Sequence, residues 1–375
     1  MRGDEITRAV LARDDVARYL RGVQGVSAGE ARQRIEEYLL ELRTTQRYRF
    51  YRALEYPLYP ILRKVRRVAE GIDHAAAATR RGRVVYVSNH KSHLDYLVEP
   101  LVLDDHGVRP PLTAAGINLF GGALGLLHRH VTGAIPIRRN SKDPVYLVTL
   151  RAYVAEVLKT NDLLYYAEGG RSYSGELKSP KTGLLQAALL ADRHEISVVP
   201  MAVAYDLVLE DRIISRAATR KRTRPFAQEI AEMVRHAVGY QSRAFVTFGE
   251  PIALGDFDPE ARRDLVALTH RIQDAIGRLY KVLPTAVVAA AMRPQISRAD
   301  LVARIQDLLV SFGAEGANLA VRSAPQTVDE GVALLSERGI LVQERQRLRV
   351  RDRIALRYYA RTIEHLVTRR RGTTH

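Results

Sequence analysis

Between residues 83 and 284, short apolar runs alternate with longer amphipathic segments, and no other feature of the chain restricts its fold as much. The runs Arg83–Ser88, Gly133–Ile137, Leu163–Ala167, Ile196–Ala204 and Ala244–Phe248 read as strands, with helical patterns between them. Asp143-Pro144 and Asp258-Pro259 each read as an N-cap followed by proline at the first helical position. This alternation predicts an α/β fold, a mostly parallel sheet flanked by helices. In that class, sites gather at the carboxyl ends of strands. The flanks differ. Residues 1–82 are expected to be helical, with a capping box at Ser27–Glu30 followed by Ile35, Tyr38, Leu39 and Leu42 at helical spacing. A second helical stretch is expected from Gln46 to Glu70, broken or kinked by Pro57 and Pro60. Residues 285–375 show helical patterns and then an alternating stretch, Ile340–Val350, that reads as a hairpin; helix plus hairpin resembles a winged-helix unit. The expected domains are therefore 1–82, 83–284 and 285–375.

A length of 375 residues suits two or three such units. The formal net charge of +16 and a sequence pI of about 10.1 point to a polyanionic partner: nucleic acid, anionic lipid, or acidic substrates and carriers. The basic excess is spread along the chain, with clusters at Arg63–Arg67, Arg212–Arg224 and Arg369–Arg371. The absence of cysteine excludes disulfides, cysteine nucleophiles and thiolate metal sites. The longest nearly uncharged stretch, Pro110–Leu127, is interrupted by prolines, glycines and Asn118, so no spanning helix is expected. The N-terminus, where Asp4, Glu5, Asp14 and Asp15 are interleaved with arginine, does not read as a signal peptide.

Four segments carry the candidate chemistry. Asn89-His90-Lys91-Ser92-His93-Leu94-Asp95 directly follows an apolar strand. If a helix starts near Ser92, the Asp95 carboxylate can reach back to the His90 imidazole, fix its tautomer and stabilise it as the other nitrogen takes a proton. The same residues also fit a helix cap with surface histidines. H-x-x-H-x-D also offers three metal ligands, although no later His/Asp cluster completes a site. Gly133–Arg139 is a strand ending in two adjacent arginines, and Ala167-Glu168-Gly169-Gly170-Arg171-Ser172 again follows an apolar strand. Each places guanidinium where an α/β sheet presents ligands, and the planar fork suits phosphate; a solvated loop arginine is the plain alternative for either. Val198-Val199-Pro200-Met201 is a buried-strand pattern holding a proline.

In order and spacing, the four segments together resemble the motifs of the glycerolipid acyltransferases: H-x-x-x-x-D, G-A-x-x-I-R-R, E-G-x-R-S and V-P. The closer resemblance is to the bacterial glycerol-3-phosphate acyltransferases of the inner-membrane type, together with dihydroxyacetone-phosphate acyltransferases. It is carried by HKSHLDYL, AAGINLFGGALG, GAIPIRR, EGGRSYSGELKSPKTGLL, FGEPI and the tail LRYYARTIEHL, and covers residues 83–365. The chain is shorter than the large bacterial members. Its second motif has Ala-Ile-Pro where two aromatic residues are commoner.

The resemblance implies transfer of a fatty acyl group from acyl-CoA or acyl-carrier protein to the sn-1 hydroxyl of glycerol 3-phosphate, giving 1-acylglycerol 3-phosphate for phospholipid synthesis. It implies His90 as general base and Asp95 as its orienting partner. Glu168 and Gly169 would position the glycerol, Arg138, Arg139 and Arg171 would hold the phosphate with Ser172 beside them, and Pro200 would shape the strand next to the acyl site. Of the two adjacent arginines, Arg138 is the expected clamp. No cofactor and no metal are implied. Peripheral attachment at the cytoplasmic face of an anionic membrane is expected, with tyrosines and basic residues of Gln46–Glu70 as the interfacial element. The basic run Arg212–Arg224 is expected to meet the acyl donor. Two alternatives stay open: the same chemistry on lysophosphatidate or dihydroxyacetone phosphate, and a nucleic-acid-binding protein using the charge and the wing.

Overall fold

In the computed structural model, residues 3–22, 25, 27–53, 56, 62–120, 130–191, 193–211, 213 and 241–367 are described. The strands of the large sheet are β1 (Val65–Glu70), β2 (Arg83–Ser88), β3 (Leu112–Gly116), β4 (Ala134–Ile137), β5 (Leu163–Tyr166), β6 (Ile196–Tyr205), β7 (Ser242–Phe248) and β8 (Ile252–Ala253). Their spatial order is β1-β7-β6-β2-β5-β3-β4, with β8 also paired to β6. From β6 to β4 all neighbours are parallel, and β1 is parallel to β7. The single reversal in that order is at β6–β7, which is antiparallel. The mostly parallel sheet flanked by helices is thus present. Val84–Val87 of β2 are fully buried, as expected for a central strand covered on both faces, and this is why that run is continuously apolar rather than alternating.

Two strands differ from the sequence expectation. Val65–Glu70, expected as the end of a helix, is an edge strand paired only with β7, and the helix in that stretch is confined to Tyr48–Ala53. VRRVAE buries only Val65, and its place is set by the β7 ladder rather than by helical periodicity. Pro57, Tyr59 and Pro60 lie outside the described residues. Strand β3, LTAAG, was not expected; alanine and glycine are poor strand formers, and β5 and β4 on either side impose the extended backbone.

Capping matches the sequence in part. Ser27 and Glu30 form the capping box of helix Ala28–Leu42, and Asp143 caps helix Pro144–Val157. Asp258 does not cap a helix: Arg262–Leu279 begins after Ala261, and the Asp258 carboxylate accepts the Glu260 N–H in a turn. Asp143 also receives Arg34 at 2.6 Å and Tyr38 at 2.5 Å, so helix Ala28–Leu42 docks on the cap of helix Pro144–Val157.

Pro200 lies within β6, opposite Val87 of β2. Its carbonyl accepts from Gly249, in the gap between the β8 and β7 pairings along that edge. The ladder changes partner there, which is where a residue without an N–H is tolerated.

The C-terminal region runs helix Pro284–Ala291, β9 (Gln295–Ser297), helix Arg298–Ala314, helix Ala324–Glu337, β10 (Leu341–Glu344), β11 (Arg347–Val350) and helix Arg353–Arg361. The order helix–strand–helix–helix–hairpin, with a small antiparallel sheet β10-β11-β9, is that of a winged helix. Helix Ala324–Glu337 lies against Pro284–Ala291 so closely that a Cβ at Gly331 would stand 2.6 Å from the Pro284 carbonyl oxygen. Among the described residues, no helix is long and apolar enough to cross a membrane.

Candidate active site

The carboxyl ends of β2, β5 and β6 come together around His90. At the end of β2, Asn89 carries on the ladder with its side chain: its amide donates to Val203 O at 2.9 Å and its carbonyl accepts Val203 N at 2.7 Å. The chain then turns into helix Asp95–Asp105, whose first residue closes back on the turn. Asp95 is fully buried; its Oδ2 lies 2.8 Å from His90 Nδ1 and accepts the Lys91 and Ser92 N–H groups at 2.7 and 2.9 Å. Its Oδ1 accepts the Tyr205 hydroxyl at 2.6 Å, from the last residue of β6. With Asp95 accepting at Nδ1, the tautomer is set and Nε2 is the acceptor. The imidazole stacks on Tyr166 at 3.9 Å and 11°. Burial pushes its pKa down to about 4; the Asp95 contacts oppose this, and the charges on Arg171 and His93 add to it. At neutral pH the ring is therefore unprotonated and able to accept a proton.

A largely apolar cleft opens beside the imidazole, lined by Tyr96, Pro100, Ala114, Leu119, Ala134 and Tyr166, and shared with His90, His93 and Arg139. The two adjacent arginines part here, as neighbouring residues leaving a strand must. Arg139 turns to the cleft, whereas Arg138 turns away, its guanidinium donating to Glu41 at 2.8 and 2.5 Å and resting over Tyr38. Arg138, the expected clamp, is therefore not brought to the cleft: its fork is occupied by Glu41 of helix Ala28–Leu42. Glycine is required for Arg139 to lie as it does, since a Cβ at Gly116 would come within 2.8 Å of its guanidinium carbon. Burial, and then the nearby charge on Arg171, lowers the proton affinity of Arg139. Arg171 is itself buried, donating to the Tyr173 hydroxyl at 3.3 Å.

The third segment positions as much as it presents. Ser172 N donates to His90 O at 2.9 Å and its hydroxyl to Glu176 O at 2.7 Å, which fastens this loop to the base-bearing turn. Gly169 takes φ +70°, where a side chain is strained. Burial raises Glu168 to about 6, with Lys91 and Lys178 pulling the other way. Pro200 is not brought to the cleft. Arg212–Arg224 falls outside the described residues, apart from Ile213. Among the described residues, no three His, Asp or Glu side chains are gathered as metal ligands.

Four site residues were not anticipated. Lys91, 1% exposed, donates to Gly175 O at 2.7 Å, and burial lowers its pKa against the charges of Glu168 and Asp95. Glu99, fully buried, accepts the Ser88 hydroxyl at 2.5 Å and is pushed well above the usual carboxylate range, first by burial and then by Asp95. Tyr205 and Glu210 reach the turn from the exit of β6. The polar residues Tyr205, Asp206 and Glu210 just past an apolar strand were the only signal for the last two.

A sheet of this order, with a buried His–Asp pair at the carboxyl end of β2 beside an apolar cleft and two arginines, has the makings of an acyl-transfer site. The Acyltransferase family model matches residues 67–204, a span that holds His90, Asp95, Arg139, Glu168 and Arg171; this part of the chain is similar to an acyltransferase domain. Its curated relatives include glycerol-3-phosphate acyltransferases. The chain is 29% identical to the glycerol-3-phosphate acyltransferase of Actinobacillus succinogenes, over 90% of this chain and 46% of that protein. It is 30% identical to that of Haemophilus influenzae (76% and 39%) and 34% identical to that of Aeromonas hydrophila (62% and 30%). The chain thus spans less than half the length of these relatives. A crystal structure of the 1-acyl-sn-glycerophosphate acyltransferase from Thermotoga maritima shares only a weak likeness, with a TM-score of 0.37 at 17% identity over 73% of this chain and 93% of that one.

Proposed function

We propose that this chain transfers a fatty acyl group from a thioester, acyl-CoA or acyl-carrier protein, to the sn-1 hydroxyl of glycerol 3-phosphate. The observation that carries this reading is the buried His90–Asp95 pair and Arg139 at one apolar cleft, with Arg171 close enough for its charge to act on both His90 and Arg139. Two guanidinium groups held near one another suit an anion with several acceptor oxygens, and phosphate is such a guest. Held there by its phosphate, the acceptor presents its far hydroxyl to His90 Nε2. The imidazole takes the hydroxyl proton as the oxygen attacks the thioester carbonyl. The tetrahedral intermediate collapses, the C–S bond breaks, and the imidazolium returns the proton to the leaving thiolate. Asp95 stabilises the transient imidazolium without taking its proton. Glu168 and Gly169 shape the glycerol side, and the apolar cleft receives the acyl chain.

The acceptor decides between this reading and its neighbours. Labelled acyl-CoA is offered with glycerol 3-phosphate, dihydroxyacetone phosphate, lysophosphatidate or free glycerol; dominant transfer to glycerol 3-phosphate is expected, and preference for lysophosphatidate or for free glycerol would overturn the assignment. Attachment to an anionic membrane surface belongs to the same proposal, supported by exposed Phe50 next to the exposed Arg49 in the chain and by exposed Tyr56 further along the segment. The nucleic-acid alternative is less favoured by one feature: helix Ala324–Glu337, which would read a groove in a winged helix, carries Asp329, Glu330 and Glu337 and no lysine or arginine.

A further inference from the structure

The turn that carries His90 is held from two sides. From within, Asp95 accepts its amides. From beyond the end of β6, Glu210 accepts one amide and one hydroxyl of the same turn. Its carboxylate is 1% exposed; it accepts the His93 N–H at 2.5 Å and the Ser92 hydroxyl at 2.9 and 3.0 Å. The same carboxylate stands 3.7 Å from Arg171 Nη1. One buried anion therefore meets both the base-bearing turn and an arginine of the third motif.

Glu210 is in turn placed by the C-terminal region. Its neighbour Asp211, fully buried, receives Arg338 at 2.7 and 3.1 Å and the Tyr359 hydroxyl at 2.7 Å. Arg338 also donates to Leu209 O at 2.7 Å, and Val208 N donates to the Tyr359 oxygen at 3.1 Å. Arg338 ends helix Ala324–Glu337 and Tyr359 lies in helix Arg353–Arg361. A buried ion pair adds little net stability, yet breaking it from one side is strongly unfavourable; what it supplies here is a single fixed geometry for 208–211.

We infer that Glu210 is a positioning residue for the base-bearing turn, and that Arg338 and Tyr359 of the winged-helix region act on the active site through it. This rests on the acyl-transfer reading only where turnover is measured. The groups that face His90 are Asp95 at Nδ1, with Tyr205 behind it, His93 of its own turn, and Tyr166 and Arg171 from β5 and its exit. Glu210 touches none of the reacting atoms. Its removal would leave the His93 N–H and Ser92 hydroxyl without this acceptor in a dry place, so the turn would open to water. A hydrated imidazole titrates nearer its ordinary value, which gives a readout that simple loss of stability does not move.

The test uses the full chain with Glu210→Ala, Glu210→Gln, Arg338→Ala and Arg338→Lys, and Leu335→Ala as a control buried in the same helix as the Arg338 cap. The His90 imidazole is titrated by NMR in the unliganded protein, its resonance assigned by loss in His90→Ala. In Glu210→Ala the titration is expected to rise from about 4 toward about 6.5, with kcat for acyl transfer to glycerol 3-phosphate lower by about tenfold to a hundredfold. Gln should restore most of both, since it keeps one acceptor oxygen. Arg338→Ala should move both in the same direction by less, with Lys between it and the parent. Leu335→Ala should lower the melting temperature and leave both unmoved. A folded Glu210→Ala or Arg338→Ala protein with parental kcat, together with a Glu210→Ala imidazole that titrates as in the parent, would overturn the inference. If the parent transfers nothing to glycerol 3-phosphate while the titration still moves with Glu210, the acceptor assignment fails and the positioning role stands.

Discussion

Removing the imidazole at position 90 is expected to lower kcat by at least about two orders of magnitude, the usual share of a positioned general base. Asp95→Asn should be as severe, because an amide nitrogen would face donors that now meet a carboxylate: Nδ1 of His90, two backbone amides and the Tyr205 hydroxyl. Steady-state kinetics on both variants, with glycerol 3-phosphate binding followed by calorimetry, separates lost chemistry from lost affinity; retained binding with near-parental turnover would remove His90 from its role. The arginines give a sharper contrast. Arg139→Ala should raise KM for glycerol 3-phosphate by tenfold or more, on the order of one lost charge-assisted contact. Arg138→Ala should leave it nearly unchanged, since that guanidinium is held by Glu41. Gly116→Ala should imitate the Arg139 variant in part, because its new methyl occupies the place of the guanidinium. Equal effects of Arg138 and Arg139 on KM would defeat this division.

At the scale of elements, the turn between β2 and helix Asp95–Asp105 sets the pH behaviour. His90 is buried as the neutral ring with a pKa of about 4, below its ordinary value of about 6.5. The base therefore stays available as pH falls through 6.5, and kcat should decline only toward 4. This is read on kcat at saturating acceptor, because the second ionisation of a phosphate monoester near 6 enters KM. Glu168, raised to about 6 by burial, titrates inside the same range. If its ionised form is used, Glu168→Gln removes an inflection near 6 and leaves the lower one. An acid limb centred at 6.5 in both proteins would mean that the imidazole is hydrated in solution. The cap of helix Pro144–Val157 offers a stability test. Asp143→Ala removes a cap worth about 1 kcal/mol and, with it, the seats of Arg34 and Tyr38. Thermal melts should shift down by a few degrees, about 2–4 °C per kcal/mol for a chain of this order, with kcat of the folded protein little changed.

For the whole molecule, the question is how a basic protein without a spanning helix among its described residues would meet the amphiphilic product of the proposed reaction. The expected interfacial helix over Gln46–Glu70 is not one element: its basic end is strand β1, where Arg67 is bound to Asp105. What remains is the short helix Tyr48–Ala53 and Tyr56, with Phe50 63% and Tyr56 79% exposed. Gln46 of the same segment reaches the cleft, so a surface that met lipid here would lie beside the acyl site. Liposome flotation should show recovery on anionic vesicles, loss at high salt, and loss on Phe50→Asp. Equal recovery on neutral vesicles, or none on either, would leave the aromatic residues without this role.

The sequence by itself determined the layered α/β architecture, because buried parallel strands demand continuous apolar runs and the helices between them demand a different period. It also determined the His90–Asp95 contact in the turn after β2, where the two are close enough in the chain for local geometry to join them. Strand direction at β7 and the extended state of β3 and β1 were decided by tertiary pairing, since a period of two carries no direction and weak strand formers take the conformation of their neighbours. Which of Arg138 and Arg139 meets the cleft was also tertiary: adjacency guarantees opposite faces, but only the docked helix Ala28–Leu42, with Glu41, says which face is taken. Glu210 shows the same limit at longer range. Its partners Ser92 and His93 lie more than a hundred residues away along the chain, and no local pattern encodes a contact that the fold creates only when β2 and β6 become neighbours.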